Sequence, residues 1–360
     1  MKVLVYDVAA EDGGGLFVLK NFYEQVLAYP IDGIEWVFMT SIAILEEATD
    51  ITVLSYGWIK KSWFHRLFFE KLVLPGVLKD IKPDIVFSLQ NMPVRYGNAK
   101  QIVYLHQSLQ YCPKKFSFFK KEEFALAIRQ KIICNIYKKN LHRADHIFVQ
   151  TQWIKEATTK WLGISESQIT VVPVALGEMP KFLFSNVEYK SNVFFYPARG
   201  VVYKNHKVVI EACRLLEERG IIAYKVIFTL TPDESTYASQ LKEMAKGLPI
   251  EFVGIMQYER VWQQYQRSIL LFPSYLETCG LPLLEARSVG SMIIASDMPF
   301  SHEALAGYEN VQYFEYDNAR RLSEIMENTL KKKTHHIGPC KPEKESISND
   351  LLQSILTQIK

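Results

Sequence analysis

The chain alternates between short apolar runs and longer stretches in which apolar positions recur with a helical period. Stretches such as "GLFVLKNFYEQVLAY" and "KVVIEACRLLEERG" predict amphipathic helices. Buried strands that alternate with helices are typical of parallel sheets covered on both faces. The pattern therefore predicts an α/β fold. The strand-like runs are KVLVYDV, IEWVFMT, DIVFSL, QIVYLH, HIFVQT and ITVVPV in the first half, and NVFFYPA, YKVIFTL, IEFVG, ILLFPS and MIIASD in the second.

The alternation restarts after residues 174–192, a segment that has no periodicity and contains Pro180. This segment predicts a linker between two doubly wound, Rossmann-like domains that face each other across a cleft. We place the first domain at 1–178 and the second at 179–340. The polar stretch 331–350 predicts a surface crossing, and "SNDLLQSILTQIK" at the end predicts a capped terminal helix.

Composition narrows the classes of function. The 360 residues are 48% hydrophobic and 22% charged, and the formal net charge is only +3. This balance gives no support to a nucleic-acid partner. Five scattered cysteines without a CxxC pair indicate neither a disulfide framework nor a zinc site, and they favour a reducing compartment. The apolar run at the N-terminus is too short for a signal peptide. No apolar run in the sequence is as long as a membrane-spanning helix, so we expect a cytoplasmic protein.

One segment joins a strand, a loop and a helix with two carboxylates. In "ILLFPSYLETCGLPLLEARSVG", Glu277 and Glu285 enclose seven residues. Backbone amides at Cys279, Gly280 and Leu281 would point out of the helix start, where an anion is favoured. Two carboxylates that flank a diphosphate suit a nucleotide sugar, which has hydroxyls on both sides of its phosphates. On the spacing alone, two solvated glutamates at a helix start remain the favoured interpretation.

A second loop supplies positive charge. "YPARGVVYKNHKVV" follows the first strand of the second domain and carries Arg199 and Lys204. A guanidinium and an ammonium at the carboxyl end of a strand would converge on phosphate oxygens and neutralise a diphosphate leaving group. An ordinary basic loop is the alternative.

In combination, these segments resemble retaining glycosyltransferases of family 4, which have the two-domain GT-B fold. The resemblance covers most of the chain and is strongest over 192–305. Glu277 and Glu285 match the family's Glu-x7-Glu element, and Arg199 and Lys204 match its Arg-x4-Lys pair. "IEFVGIM", with Gly254 and Ile255, resembles the segment that passes the nucleotide base. "EDGGGLFVL" and "YLHQSLQY" match the glycine-rich loop and the strand-end histidine of the first domain.

The resemblance implies a role for each matched position. Glu277 would hold hydroxyls of the transferred sugar, with Cys279, Gly280 and Leu281 beside it, and Glu285 would hold the ribose. Arg199 and Lys204 would stabilise the departing nucleoside diphosphate. His106 would orient the sugar, and backbone at Gly13, Gly14 and Gly15 would approach the phosphates or the acceptor. The fold implies a C-terminal helix, 341–360, that crosses back to the first domain.

Departures from the family pattern concern size rather than charge. Thr278-Cys279 stands where Ser-Phe or Gly-Phe is usual, which predicts a roomier sugar pocket. No Asp-x-Asp motif occurs in the sequence. We therefore expect neither a metal nor another cofactor, because Arg199 and Lys204 would take the metal's place on the diphosphate.

Two stretches mix lysines with aromatic residues. They are "WIKKSWFHRLFFEK" (58–71) and "KKFSFFKKEEF" (114–124). Such a mixture suits the surface of an anionic bilayer and supports a hypothesis of peripheral contact with the inner face of the membrane. The alternative, and the commoner case, is a core-facing helix with a solvated basic side.

The residues and the resemblance together predict a hexosyltransferase. It would move a hexose or deoxyhexose from a UDP- or GDP-linked donor to a glycan or lipid-linked saccharide, with retention of configuration, in bacterial surface polysaccharide assembly. Two alternatives stay open: a catalytically silent regulatory subunit that binds sugar nucleotides, and a GT-B isomerase or hydrolase of a sugar nucleotide.

Overall fold

The computed structural model describes residues 1–10, 13–94, 96–173, 192–332 and 351–359. These residues form two compact units. The first contains residues 1–107, 131–173 and 351–359. The second contains 108–130 and 192–332.

The first unit is built on a seven-stranded sheet with the order β3-β2-β1-β4-β5-β6-β7. All neighbouring strands are parallel. The order reverses direction between β1 and β4, as in other doubly wound sheets. The strands are β1 (Lys2–Asp7), β2 (Glu35–Thr40), β3 (Ile51–Ser55), β4 (Ile85–Ser88), β5 (Lys100–Leu105), β6 (His146–Val149) and β7 (Ile169–Val171).

Helices connect these strands and cover the sheet. Between α2 and α3 the chain passes through a π-helical turn, Phe69–Val73, and a second such turn, Arg129–Ile133, separates α4 from α5. Of the helices up to β7, α4 belongs to the second unit. They are α1 (Gly13–Ala28), α2 (Trp63–Phe68), α3 (Leu74–Ile81), α4 (Phe124–Ile128), α5 (Cys134–Leu141) and α6 (Gln152–Leu162).

The second unit is built on a six-stranded parallel sheet with the order β10-β9-β8-β11-β12-β13. Numbered within the unit, this is the order 3-2-1-4-5-6 of dinucleotide-binding folds, with its reversal between β8 and β11. The strands are β8 (Val193–Tyr196), β9 (Lys225–Phe228), β10 (Ile250–Phe252), β11 (Ile269–Phe272), β12 (Ile293–Ser296) and β13 (Val311–Phe314). The helices are α7 (His206–Glu218), α8 (Thr236–Met244), α9 (Tyr258–Arg267), α10 (Leu281–Ser288), α11 (Pro299–Ala304) and α12 (Ala319–Lys332).

The last helix, α13 (Leu351–Ile359), belongs to the first unit. Its Leu351, Leu352 and Ile355 are buried in the same cluster as Phe22 of α1. The backbone N–H of Leu352 donates to the Gln25 side chain at 3.3 Å. The predicted return of the C-terminal helix to the first domain is therefore confirmed.

The predicted α/β class with two Rossmann-like sheets is confirmed, but two strands were not predicted. They are β3 and β13, with the sequences ITVLS and VQYF. Both are edge strands. Most of their side chains are only partly buried, so polar residues interrupt the apolar run that marks an interior strand.

The domain prediction differs from the structure at residues 108–130. The prediction placed them in the first domain, whereas they pack with the second unit. One reason is that Lys114 lies over the rings of Tyr275 and Tyr316, both of the second unit. The predicted boundary at 178 lies outside the described residues, as do positions 174–191 of the predicted linker 174–192 and positions 333–350 of the predicted crossing 331–350, so these stay predictions. Lys331 and Lys332, the first two residues of that crossing, belong to α12.

No helix within the described ranges is both long and apolar enough to span a bilayer.

Candidate active site

The switch point of the second sheet brings the two predicted loops together. β8 and β11 are neighbours, and ligands of doubly wound sheets bind outside the carboxyl ends of the strands where the order reverses. The loop after β8 carries Arg199 and Lys204, and the loop after β11 carries Glu277. The sequence places these residues more than seventy positions apart, and the topology makes them neighbours.

Lys204 and Glu277 form an ion pair at this point. Lys204 Nζ lies 2.5 Å from Glu277 Oε1, and the two side chains keep 20% and 15% of their exposure. A charge-assisted hydrogen bond of this length is among the stronger polar contacts in a protein. The structure thus brings the cation that we predict to bind phosphate into direct contact with the carboxylate that we predict to bind sugar hydroxyls.

Asn205 fixes the backbone next to Lys204. It has a φ of 60°, a left-handed conformation that Asn tolerates better than most residues. Its Nδ2 donates to the backbone oxygens of Pro273 at 3.1 Å and Tyr316 at 2.7 Å. One side chain therefore ties together the loops that follow β8, β11 and β13.

Glu234 holds the loop that carries Arg199. The N–H of Gly200 donates to Glu234 Oε1 at 2.9 Å. A Cβ at Gly200 would lie 2.8 Å from the same oxygen, so a larger residue would displace this contact. Burial raises the pKa of Tyr203, and the positive charges of Lys204 and Arg199 act in the opposite direction.

Gly280 shapes the start of α10. Its φ is 66°, and a Cβ there would come within 3.1 Å of Leu283 Cδ1. Leu281 begins the helix and Pro282 occupies its first turn, where proline is favoured. Gly290 is left-handed at 75° and stands one residue after the C-cap, Val289.

The thiol that replaces the usual phenylalanine is not a nucleophile at neutral pH. Burial raises the pKa of Cys279 to about 11, with the Thr278 hydroxyl acting in the opposite direction. The thiolate is the reactive form of cysteine, and almost none is present at pH 7. We therefore assign Cys279 no role as a nucleophile.

Glu285 has a partner that the sequence did not reveal. Tyr265 of α9 donates its hydroxyl to Glu285 Oε2 at 2.9 Å. Burial raises the pKa of Glu285, and this hydrogen bond works against that rise. The tyrosine fixes one carboxylate oxygen and so orients the group. Its signal in the sequence is weak, since Tyr265 reads as one more aromatic residue on the buried face of a helix.

Gly254 and Ile255 follow β10, at the edge of the second sheet. Gly254 has a φ of 75°, and its N–H donates to the Leu230 oxygen at 3.1 Å. Ile255 is exposed. β9 separates β10 from β8, so these residues lie about 10 Å from the β8 loop in the strand-to-strand direction.

The first unit brings His106 and the glycine segment together. Gly13, Gly14 and Gly15 form the first turn of α1 rather than a loop before it. His106 follows β5, and a Cβ at Gly15 would lie 3.7 Å from His106 Cε1. The N–H of His106 donates to Asn91 Oδ1 at 2.9 Å, which links the ends of β4 and β5. Burial lowers the pKa of His106 to about 4, so its imidazole is neutral at physiological pH.

Asp7, at the end of β1, was not predicted. The side chain is 2% exposed, and its Oδ1 accepts from the N–H groups of Ala10 at 3.0 Å and Ala9 at 3.3 Å. It thereby fixes the turn that leads toward the glycine segment. Burial raises its pKa to about 7. An aspartate at the end of an apolar strand, before a turn, is the only signal that the sequence offers for it.

Comparison with known proteins finds similarity to glycosyltransferases. Residues 180–342 match the sequence model of the family "Glycosyl transferases group 1". The chain is 19% identical over 310 residues to the O-antigen chain mannosyltransferase RfbU of Salmonella typhimurium, covering 80% of this chain and 84% of that protein. It is 24% identical over 217 residues to the N,N'-diacetylbacillosaminyl-diphospho-undecaprenol alpha-1,3-N-acetylgalactosaminyltransferase of Campylobacter jejuni, covering 58% and 57% of the two chains.

Solved structures agree on the fold. Sucrose-phosphate synthase from Thermosynechococcus elongatus superposes with a TM-score of 0.65 at 16% identity, over 92% of this chain and 89% of its own. The matched family region spans the whole of the second sheet and contains Arg199, Lys204, Glu277 and Glu285. The protein is a glycosyltransferase, and residues 180–342 are the part of it that matches the group 1 glycosyl transferases.

Proposed function

We propose that the protein is a retaining glycosyltransferase that transfers a hexose or deoxyhexose from a UDP- or GDP-linked donor. The acceptor is a glycan or a lipid-linked saccharide in bacterial surface polysaccharide assembly. Two relatives support this setting. One is an O-antigen chain mannosyltransferase, and the other is a transferase that acts on a diphospho-undecaprenol saccharide.

The observation that carries the proposal is the contact between Lys204 and Glu277 at the switch point of the second sheet. A donor presents its diphosphate next to its sugar, so its site needs a cation beside a hydroxyl acceptor. Lys204 and Arg199 would bind phosphate oxygens, and Glu277 would accept from sugar hydroxyls. Glu285, oriented by Tyr265, would accept from the ribose hydroxyls.

In the proposed reaction, the bond between the anomeric carbon and the phosphate oxygen breaks. The acceptor oxygen bonds to the same face of that carbon, and the acceptor proton passes to the leaving phosphate. Arg199 and Lys204 stabilise the negative charge that develops on the diphosphate. No enzyme nucleophile is required, in keeping with the protonated thiol of Cys279.

We also propose that catalysis proceeds without a metal or another cofactor. The reason is that Arg199 and Lys204, which follow β8, would supply the positive charge for the diphosphate. Transfer should then continue in the presence of EDTA at the rate measured without it. A loss of activity that Mg²⁺ or Mn²⁺ restores would contradict this part of the proposal.

Product analysis tests the activity. The protein would be incubated with UDP- and GDP-sugars, with and without oligosaccharide or lipid-linked acceptors. We expect a nucleoside diphosphate and an elongated acceptor, with an α-linkage from an α-linked donor. An epimerised sugar nucleotide would favour the isomerase alternative, and donor cleavage that never elongates an acceptor would favour a hydrolase. Donor binding with neither cleavage nor transfer would favour a silent regulatory subunit.

Peripheral contact with an anionic membrane completes the proposal, because a lipid-linked acceptor is held at a membrane surface. The support is the exposure of Trp63 (68%) and Phe64 (76%) in the first basic-aromatic segment and of Phe119 (99%) in the second. Exposed aromatic residues beside lysines suit the headgroup region of an anionic bilayer.

A further inference from the structure

Residues 108–130, named here the strap, pack with the second unit although the chain on both sides of them belongs to the first. The strap contains the turn Leu109–Tyr111, an irregular stretch and helix α4. None of the motifs found in the sequence assigns a role in catalysis to it. Its contacts within the second unit do suggest one.

Lys114 provides the central contact. Its Nζ lies 4.9 Å from the ring centroid of Tyr275 and 4.9 Å from that of Tyr316. The two ring centroids are 5.3 Å apart. A cation within about 6 Å of a ring face is attracted by the ring electrons, and here one ammonium serves two rings.

Both tyrosines belong to loops at the candidate active site. Tyr275 is two residues before Glu277, and its N–H donates to the Tyr203 oxygen at 3.1 Å, next to Lys204. Tyr316 accepts from Asn205 through its backbone oxygen. A side chain that fixes Tyr275 and Tyr316 therefore acts on the loop that carries Glu277.

The strap itself is anchored, so that Lys114 can hold a position. Gln130 Nε2 donates to the Lys114 oxygen at 2.8 Å, and Gln130 Oε1 accepts from the N–H of Phe116 at 3.0 Å. Glu123 Oε2 accepts from the N–H of Ser117 at 2.8 Å. Two side chains thus fix the backbone directly around Lys114.

We propose that Lys114 is a positioning residue. Its cation–π contacts with Tyr275 and Tyr316 fix the Tyr275–Glu277 loop and thereby orient the carboxylate of Glu277. This inference rests on the proposed function of Glu277. Lys114 is exposed, and the inference gives it a contact within the second unit in place of the membrane contact for which the sequence grouped it with Lys115, Lys120 and Lys121.

The test compares three variants. Lys114→Met removes the charge and keeps the chain length, Lys114→Arg keeps a cation that can stack on rings, and Lys115→Met removes the adjacent exposed lysine, which stacks on no ring in the described part of the chain. Hydrogen exchange of the peptide around Tyr275 reports on the loop without any ligand. We expect Lys114→Met to speed exchange of the Tyr275 amide roughly 3-fold or more, from the usual strength of an exposed cation–π contact.

Donor hydrolysis without acceptor then reports on Glu277. With whichever of UDP-glucose and GDP-mannose the wild type cleaves, Lys114→Met should raise KM roughly 3-fold, while affinity for UDP or GDP alone stays unchanged. Lys114→Arg should restore both readouts toward wild type, and Lys115→Met should match wild type. Failure of the wild type to bind or cleave any donor would count against the proposed function, and the exchange result would still decide on the strap.

Three results would overturn the positioning role. They are unchanged exchange at Tyr275 in Lys114→Met, equal effects of Lys114→Met and Lys115→Met, and a loss of transfer to acceptor with normal donor hydrolysis. The last would mean that Lys114 acts on the acceptor instead.

Discussion

Among single residues, the pairing of Lys204 with Glu277 has a consequence for ligand binding. Lys204 and Glu277 are in contact in the structure. In the proposed function they bind different parts of the donor, since Lys204 would bind the diphosphate and Glu277 the sugar. A diphosphate that approaches Lys204 competes with Glu277 for the same ammonium, and the carboxylate repels it. We therefore expect the pair to lower the affinity for a nucleoside diphosphate that has no sugar.

We predict that Glu277→Gln tightens the binding of UDP or GDP a few-fold while it lowers sugar transfer by at least about 10-fold. The first effect follows from the release of Lys204, and the second from the loss of a charged acceptor for the sugar hydroxyls. Calorimetry with the nucleoside diphosphate and a transfer assay measure the two effects. Weaker diphosphate binding in the variant would mean that Glu277 supports Lys204 rather than competing for it.

Glu285 should behave in the opposite way. Replacement by Ala removes a charged acceptor from the ribose and leaves the Tyr265 hydroxyl without its partner. Because charge-assisted hydrogen bonds contribute roughly 1.5–3 kcal/mol, affinity for the nucleoside diphosphate should fall at least about 10-fold. Tyr265→Phe, which keeps the carboxylate, serves as the matched control and should cost less. Unchanged affinity in Glu285→Ala would remove the ribose assignment.

Asp7 predicts how stability responds to pH. Burial raises its pKa to about 7, whereas an unfolded aspartate titrates at about 3.8. The folded state therefore holds a proton that the unfolded state has lost, and this stabilisation declines as the pH rises through 7. Asp7→Asn imitates the protonated form, so the melting temperature of the variant should fall less than that of the wild type between pH 5 and 8. Asp32→Asn, at an exposed position, is the control and should keep the wild-type slope.

At the level of elements, the helical segment 63–81 carries several large apolar side chains that are more than half exposed. It consists of α2, the π-helical turn and α3, and its exposed members include Trp63, Phe64, Phe68 and Leu72. Lys61 and Lys71 are exposed on the same segment. The neighbouring Lys60 has a structural contact, since its Nζ donates to the Ala9 oxygen at 2.9 Å.

We predict that the protein co-sediments with vesicles of anionic lipid and that salt weakens this binding. Lys61→Gln with Lys71→Gln should reduce it up to roughly 30-fold, at about 1 kcal/mol for each lysine. In the second segment, Lys115, Lys120 and Lys121 are the lysines to neutralise, because Lys114 stacks on two tyrosines. Tyr29→Ser removes an exposed aromatic residue from another part of the first unit and should change nothing. No sedimentation at low salt would favour the alternative of a solvated basic face.

Elements with a local signal could be predicted from the sequence. Features that depend on which strands are neighbours, or on contacts between distant parts of the chain, could not. Interior strands such as β8 and β11 are continuous apolar runs, and the start of α10 is marked by Gly280 and Pro282, so both could be predicted. The edge strands β3 and β13 lack that contrast. The strap could not be placed because the partners of its Lys114, Tyr275 and Tyr316, lie 161 and 202 residues further along the chain, and nothing in the sequence marks them as partners of a cation.

For the candidate site, the same distinction separates the motifs from their contacts. The spacing of Glu277 and Glu285 and of Arg199 and Lys204 indicated which residues to examine. The Lys204–Glu277 and Tyr265–Glu285 contacts depend on which strands and helices are neighbours, and the strand order supplies that information. Asp7 escaped notice since a buried acid at a strand end has no fixed spacing to any other residue.

At the scale of the whole molecule, each unit carries candidate residues after strands that lie at or beside the point where its own sheet reverses order. In the first unit, Gly15 lies in the first turn of α1, after β1, and His106 follows β5, which is next to β4. In the second unit, Lys204 and Glu277 follow β8 and β11. The proposed function gives the second unit the diphosphate and the ribose, so the two units should contribute to different measured quantities.

We predict that His106→Ala lowers sugar transfer by at least about 10-fold and leaves affinity for UDP or GDP within about 2-fold of wild type. Because burial keeps its pKa near 4, His106 is neutral above pH 5 and would act on the sugar as a hydrogen-bonding group, not as a cation. His106→Gln keeps a hydrogen-bonding side chain and should retain more transfer than Ala. His142→Ala, at an exposed position of the same unit, should match wild type in both measurements. A parallel loss of diphosphate affinity and transfer in a folded His106→Ala protein would mean that His106 serves the phosphates, or the integrity of the whole donor site, and the separation of roles between the two units would fail.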